Sequence, residues 1–95
     1  MISLQQKVRI SSEVLAQEVD EETVLLDMKS ESYFGLDEVG TRIWQLLKET
    51  DKLQTVFDTM REEYDVDVKQ LKKDLLDHVA QLVEAGLISL ASSDQ

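Results

Sequence analysis

The chain has a single histidine, His78, and the carboxylate best spaced to act on it is Asp74, one helical turn earlier. A His–carboxylate pair at i, i+4 can orient an imidazole, but acid–base chemistry also needs a nucleophile or a polarised group within reach. The sequence holds no cysteine. Its three glycines stand apart at 35, 40 and 86, so no glycine-rich turn cradles a phosphate or an oxyanion. Asp65, Asp67 and the run Asp20-Glu21-Glu22 lack the glycine-punctuated spacing of a calcium loop. They read as helix caps and solvated turns. No catalysis, resident metal or cofactor is expected of this chain, and a structural or surface histidine is the simpler reading of His78.

Charge narrows the partners further. Acids outnumber bases two to one and the net charge is −10, so long-range electrostatics repel nucleic acid and favour a basic or neutral partner. The acidity also keeps a small protein in solution, which is the bland account of it. At 95 residues and 42% hydrophobic content the chain suits one domain with a modest hydrophobic interior, spanning 1–95 with its core over about 7–90. It has no apolar run of membrane-spanning length, and Met1-Ile-Ser-Leu lacks the basic region of a signal peptide. A cytoplasmic protein without membrane contact is expected.

The elements that could position a site centre on the stretch Ser32 to Lys48. Tyr33, Phe34 and Leu36 form a short strand, with Gly35 a bulge or close-approach point. Asp37 follows at once as an N-cap, and Val39, Ile43, Trp44, Leu46 and Leu47 give the ensuing helix an apolar face to about Glu49. Upstream, Val14–Val19 and Thr23–Met28 read as strands separated by the acidic turn at Asp20-Glu21-Glu22. With the Tyr33 strand they predict a three-stranded antiparallel meander. Lys7 to Ser11 is a short strand or an extended arm, and residues 1–6 a loose lead-in.

Downstream the pattern is helical. Asp51 with Gln54 resembles a capping box, opening a helix with Leu53, Val56, Phe57, Met60 and Tyr64 on one face. Asp67 opens the longest helix, which ends near Ala85 with Gly86 as a left-handed C-cap. Leu87 to Leu90 is a short apolar extension and 91–95 a frayed tail. At about 100° per residue, the apolar arc of the last helix covers roughly half its circumference, more than a surface helix needs. Leu71, Leu75 and Leu82 lie on one flank and His78 at the rim. Either the helix is central in a small core, or that flank faces a groove beside the sheet.

Two helices joined by Asp65-Val66, with strands at hand, have the outline of a winged helix-turn-helix. Between Asp67 and Glu84, however, three lysines face four acids, a poor base-reading surface. A fold shared with DNA binders without their function fits better.

The block Tyr33-Phe-Gly-Leu-Asp-Glu-Val-Gly-Thr-Arg-Ile-Trp44, with Glu63-Tyr-Asp65, Asp74-Leu-Leu and Leu82-Val-Glu-Ala-Gly-Leu-Ile88, resembles the PqqD-like family, the recognition domains of ribosomally made peptide natural products. The resemblance covers about Val14 to Leu90. It leans toward the free-standing versions beside lasso-peptide proteases, with the quinone-cofactor chaperone as the alternative. It implies an α+β, winged helix-turn-helix-like fold of three strands followed by three helices. It also implies a non-catalytic adaptor that binds the leader of a precursor peptide and delivers it to a separate leader peptidase of the cysteine-protease type. By the resemblance, the leader adds as a strand to the Tyr33 strand, with Ser32, Tyr33, Phe34 and Gly35 supplying the edge. Leu71, Asp74, Leu75, His78 and Leu82 line the helix side. Phe34 and Leu75 can equally be core, Asp74 can pair locally with Lys73 or His78, and the open edge would also allow a homodimer.

Overall fold

The computed structural model describes residues 2–91. In chain order the elements are β1 (Lys7–Ile10), β2 (Val14–Val19), β3 (Glu22–Asp27), β4 (Ser32–Leu36), α1 (Glu38–Glu49), α2 (Leu53–Glu63), α3 (Val68–Glu84) and β5 (Ile88–Ala91). The expected meander is present as an antiparallel sheet in the order β2-β3-β4, followed by the three helices. The α+β, winged-helix-like architecture inferred from the sequence is the one observed.

Local chemistry sets the sheet's register. Between β2 and β3 the chain reverses at Asp20-Glu21, with Asp20 in the left-handed region at φ +58°. Between β3 and β4, Glu31 takes φ +60° and donates its N–H to the Asp27 carbonyl at 2.7 Å. The buried Asp27 side chain accepts from the Lys29 N–H at 3.1 Å and the Ser30 hydroxyl at 2.8 Å, fixing that turn. Leu25 therefore lies opposite Phe34 and Leu26 opposite Tyr33. Alternation does the rest. Thr23, Leu25 and Asp27 turn inward, where α1 packs, and Glu18 on the same face accepts from Gln45 of α1. Trp44 and Ile43 join Leu25, Leu53, Met60, Leu75 and Leu82 in one core.

The helix ends show two of the three expected N-caps and the expected C-cap. Asp37 accepts from the Gly40 N–H at 2.8 Å, and Asp67 from the Lys69 N–H at 2.8 Å. Gly86, at φ +81°, closes α3: its N–H reaches the Val83 carbonyl and that of Leu87 reaches Leu82, both at 3.0 Å. The capping box at Asp51 does not form. α2 starts at Leu53, Lys52 holds the cap position without a side-chain bond, and Gln54 donates to Asp58 instead. Asp51 is held elsewhere: its carbonyl accepts the Val8 N–H at 2.8 Å, pinning β1 to the α1–α2 loop.

That contact belongs to the largest departure from the sequence reading. Of the two readings left open for Lys7 to Ser11, strand or arm, the strand is observed; the segment after Gly86, expected only as an apolar extension, is a strand too, and the two pair antiparallel, Val8 opposite Leu90 and Ile10 opposite Ile88. The lead-in is not loose either, since Leu4 is buried and Ser3 and Gln6 bond to each other in a turn. Of the expected frayed tail, Ala91 ends β5; the remainder lies outside the described residues.

Candidate functional site

Among the described residues, β4 has a hydrogen-bonded neighbour on one side only, β3. In an antiparallel edge strand every second residue directs its N–H and C=O away from the sheet. Ser32, Tyr33 and Gly35 are exposed along this edge, and Phe34 is half-buried against the core. No bulge forms at Gly35, which pairs in register with Val24, and a Cβ placed on it would meet nothing within 4 Å. Its backbone is thus accessible from outside.

The strand runs through Asp37 into α1, whose first turn walls a cleft of about 180 Å³ against α3. Leu71, Asp74, Leu75 and His78, four of the residues named from the sequence, line this cleft together. Asp37, Val39, Gly40, Ile43 and Met60 complete the lining. A second chamber of about 230 Å³ continues along α3 toward the α2–α3 junction, sharing Val39, Met60, Leu71 and Asp74 and adding Tyr64, Val66, Asp67 and Gln70. Each is smaller than the ~300 Å³ typical of small-molecule sites and suits one side chain at a time. Leu82 lines neither chamber. It lies one turn beyond His78, where the chain folds back through Leu87, and it is fully buried. Leu75 is only 1% exposed, so it forms the floor and is core as well.

Sequence reasoning did not find Val39, Gly40 or the Tyr64–Val66 corner. At Gly40 a Cβ would stand 3.2 Å from His78 Cε1, so glycine lets the first turn of α1 close onto α3, a tertiary requirement with no local sequence signal. The Asp74–His78 pair does not form. Asp74 accepts from Gln70 at 2.9 Å, while the carboxylate acting on His78 is Asp37. Burial holds the His78 pKa below its ordinary 6.5, with Asp37 pulling weakly the other way. His78 is therefore neutral at pH 7, and its buried Nε2 has no hydrogen-bond partner among the described residues.

The cleft thus has an apolar floor and a rim of carboxylates, Asp37 and Asp74, continued by Asp67. Among the described residues no three of His, Asp and Glu gather as a metal ligand set.

The fold and site define a class of small α+β domain that presents a one-sided strand edge beside a helix-walled groove. The chain belongs to the PqqD family: the model described as Coenzyme PQQ synthesis protein D (PqqD) matches residues 22–88. No curated protein matches it. Two solved structures do. One, described as "TbiB1 in Complex with the TbiA(beta) Leader Peptide", is 39% identical with a TM-score of 0.81, covering 84% of this chain and 93% of its own. The other, "Lasso peptide synthetase B1 complexed with the leader peptide", is 27% identical with a TM-score of 0.77, covering 86% and 96%. The resemblance drawn from the Tyr33–Trp44 block holds.

Proposed function

We propose that this chain is a free-standing recognition element that binds the leader segment of a ribosomally made precursor, of the lasso-peptide type, and hands it to a separate leader peptidase. The leader adds as a strand to the open side of β4, its backbone bonding the free N–H and C=O groups of Ser32 to Gly35. Alternate leader side chains turn toward the helices, meeting Phe34 and entering the cleft over Leu71 and Leu75. Asp37, Asp74 and Asp67 favour basic leader residues beside the apolar anchors, and His78 Nε2 awaits a polar group from the peptide. Leu82 contributes by holding α3 in place. The chain itself performs no catalysis in this scheme and works in the cytoplasm; among the described residues no helix is long and apolar enough to cross a membrane.

One observation carries this reading: an edge strand open on one side leads without a loop into an apolar, acid-rimmed cleft. Identity of 39% to a protein solved with its leader peptide supports it. The test is a fluorescence-anisotropy titration with the labelled leader of the neighbouring precursor gene. Tyr33→Lys on the edge and Val39→Glu in the cleft should each weaken binding about tenfold or more, equivalent to about 1.4 kcal/mol. Wild-type affinity in folded forms of both would place the leader elsewhere. The family match keeps a quinone-cofactor chaperone as the second reading, and tighter binding of that precursor in the same assay would favour it.

A further inference from the structure

An antiparallel sheet with one face in water ordinarily carries polar side chains on that face. Here the face of β2-β3-β4 turned away from α1 does not. Leu15 lies opposite Leu26, which lies opposite Tyr33, so an apolar row crosses all three strands. Val24 stands next to this row on β3, with Val19 and Met28 at the ends. Leu15 is 56% exposed, Val19 54%, Met28 51%, Val24 42% and Tyr33 75%. No described element covers them. Scattered surface hydrophobics are ordinary, but a contiguous patch framed by polar residues marks an interaction surface.

The frame is acidic. The turns and strand ends that bound this face carry Glu13, Asp20, Glu21, Glu22 and Glu31 against Lys29. A second copy of this chain would set acid against acid on a molecule of net charge −10. The complementary partner is apolar at its centre and basic around it. The face is also continuous with the β4 edge. A strand added to β4 extends the sheet, and half its side chains emerge on the same side as Tyr33. A protein seated here would touch the domain and the docked peptide together. Gly35, with open space above its Cα, leaves the seam between them uncovered.

We infer that the outward face of β2-β3-β4 is the docking surface for the enzyme that acts on the delivered peptide, a protein with an apolar, basic-rimmed contact face that recognises the loaded domain. This rests on the leader-binding reading, and it adds a second surface, opposite the helices, through which the adaptor is joined to its peptidase.

The experiment titrates the purified leader peptidase encoded beside the precursor into the labelled domain, with and without saturating leader. Leader affinity, thermal melting and sedimentation are followed separately. The variant is Leu15→Lys with Val24→Lys, neither on β4 nor in the core; Glu22→Lys is a milder rim change for use if the double variant does not fold. The leader should strengthen peptidase binding severalfold. The double variant should lose at least tenfold in peptidase affinity with leader affinity unchanged within twofold. Glu22→Lys should weaken peptidase binding and flatten its salt dependence. Wild-type peptidase affinity in these folded variants overturns the inference, as does a loaded wild-type domain that does not bind the peptidase. So does a wild-type dimer that the double variant renders monomeric, because the face then pairs copies of this chain. Parallel loss of leader affinity would merge the face with the leader site and also overturn it. Failure of the leader to bind the wild-type domain is a different result, read in its own arm, and it removes the adaptor reading itself.

Discussion

At the scale of single residues, His78 is a group whose protonation burial opposes. Its pKa is lowered by burial between Gly40 and the floor of the cleft, and Asp37 offsets this only in part. In the unfolded chain it titrates near 6.5, so below that pH the unfolded state binds the proton more readily. Its contribution to stability is therefore intact above about pH 6.5 and is lost as pH falls from there through the lowered folded value. Glu38 works in the opposite sense, since its hydrogen bond and repulsion with Glu21 raise its pKa, so only a comparison of variants isolates the histidine. His78→Leu should flatten the fall in urea-unfolding free energy between pH 7 and pH 5 relative to the wild type. Superimposable pH profiles would mean the imidazole is solvated in solution. The sequence placed His78 at the rim of an apolar arc, which is where it lies. It suggested the wrong carboxylate because i, i+4 spacing ranks neighbours along one helix, and Asp37 arrives from another.

At the scale of elements, the site depends on how α1 begins. The Asp37 side chain bonds the Gly40 N–H, and the turn it stabilises is the wall of the cleft. Asp37→Ala should cost about 1 kcal/mol, the usual worth of an N-cap. For a domain of this size that is a drop of about 4–8 °C in melting temperature. Gln54→Ala, at the capping box that does not form, should leave melting nearly unchanged. Equal losses in the two calorimetric scans would contradict the cap geometry. Asp37, Asp67 and Gly86 were legible because caps act within four residues of sequence. The meander was legible for a similar reason: its turns are short and its strands are neighbours in the chain. Asp51 has the same chemistry as Asp37, yet its backbone is recruited by β1, a tertiary claim with no local signature. Leu82 shows the same limit. Its place on the helical arc matched that of Leu75, but only the return of the chain through Leu87 decides that it is sealed.

At the scale of the whole molecule, the β1–β5 pair ties the two ends of the described chain together, and it forms from segments some eighty positions apart. Loop closure over that separation gives no periodic signal, so the sequence left one segment as either a strand or an arm, the other as an extension, and their pairing unseen. The PqqD match begins at residue 22 and therefore omits β1 altogether. Yet β1 bonds the α1–α2 loop through Val8 and Asp51, and Leu4 and Val8 are 7% and 3% exposed in the common core. Burying an aliphatic side chain of this size is worth about 1.5–3 kcal/mol, and a domain this small has a total stability of about 5–15 kcal/mol. Removing residues 1–10 also exposes Ile88, which is 3% exposed when opposite Ile10. The truncated chain should melt at least about 10 °C lower, given about 4–8 °C per kcal/mol for a domain of this size. β4 and the cleft draw none of their lining from β1, so whatever fraction remains folded at low temperature should bind leader with wild-type affinity. A truncated chain that melts like the full one would make β1 an ornament on the family fold. One that stays folded but no longer binds leader would mean that the clasp shapes the groove from the far side of the molecule.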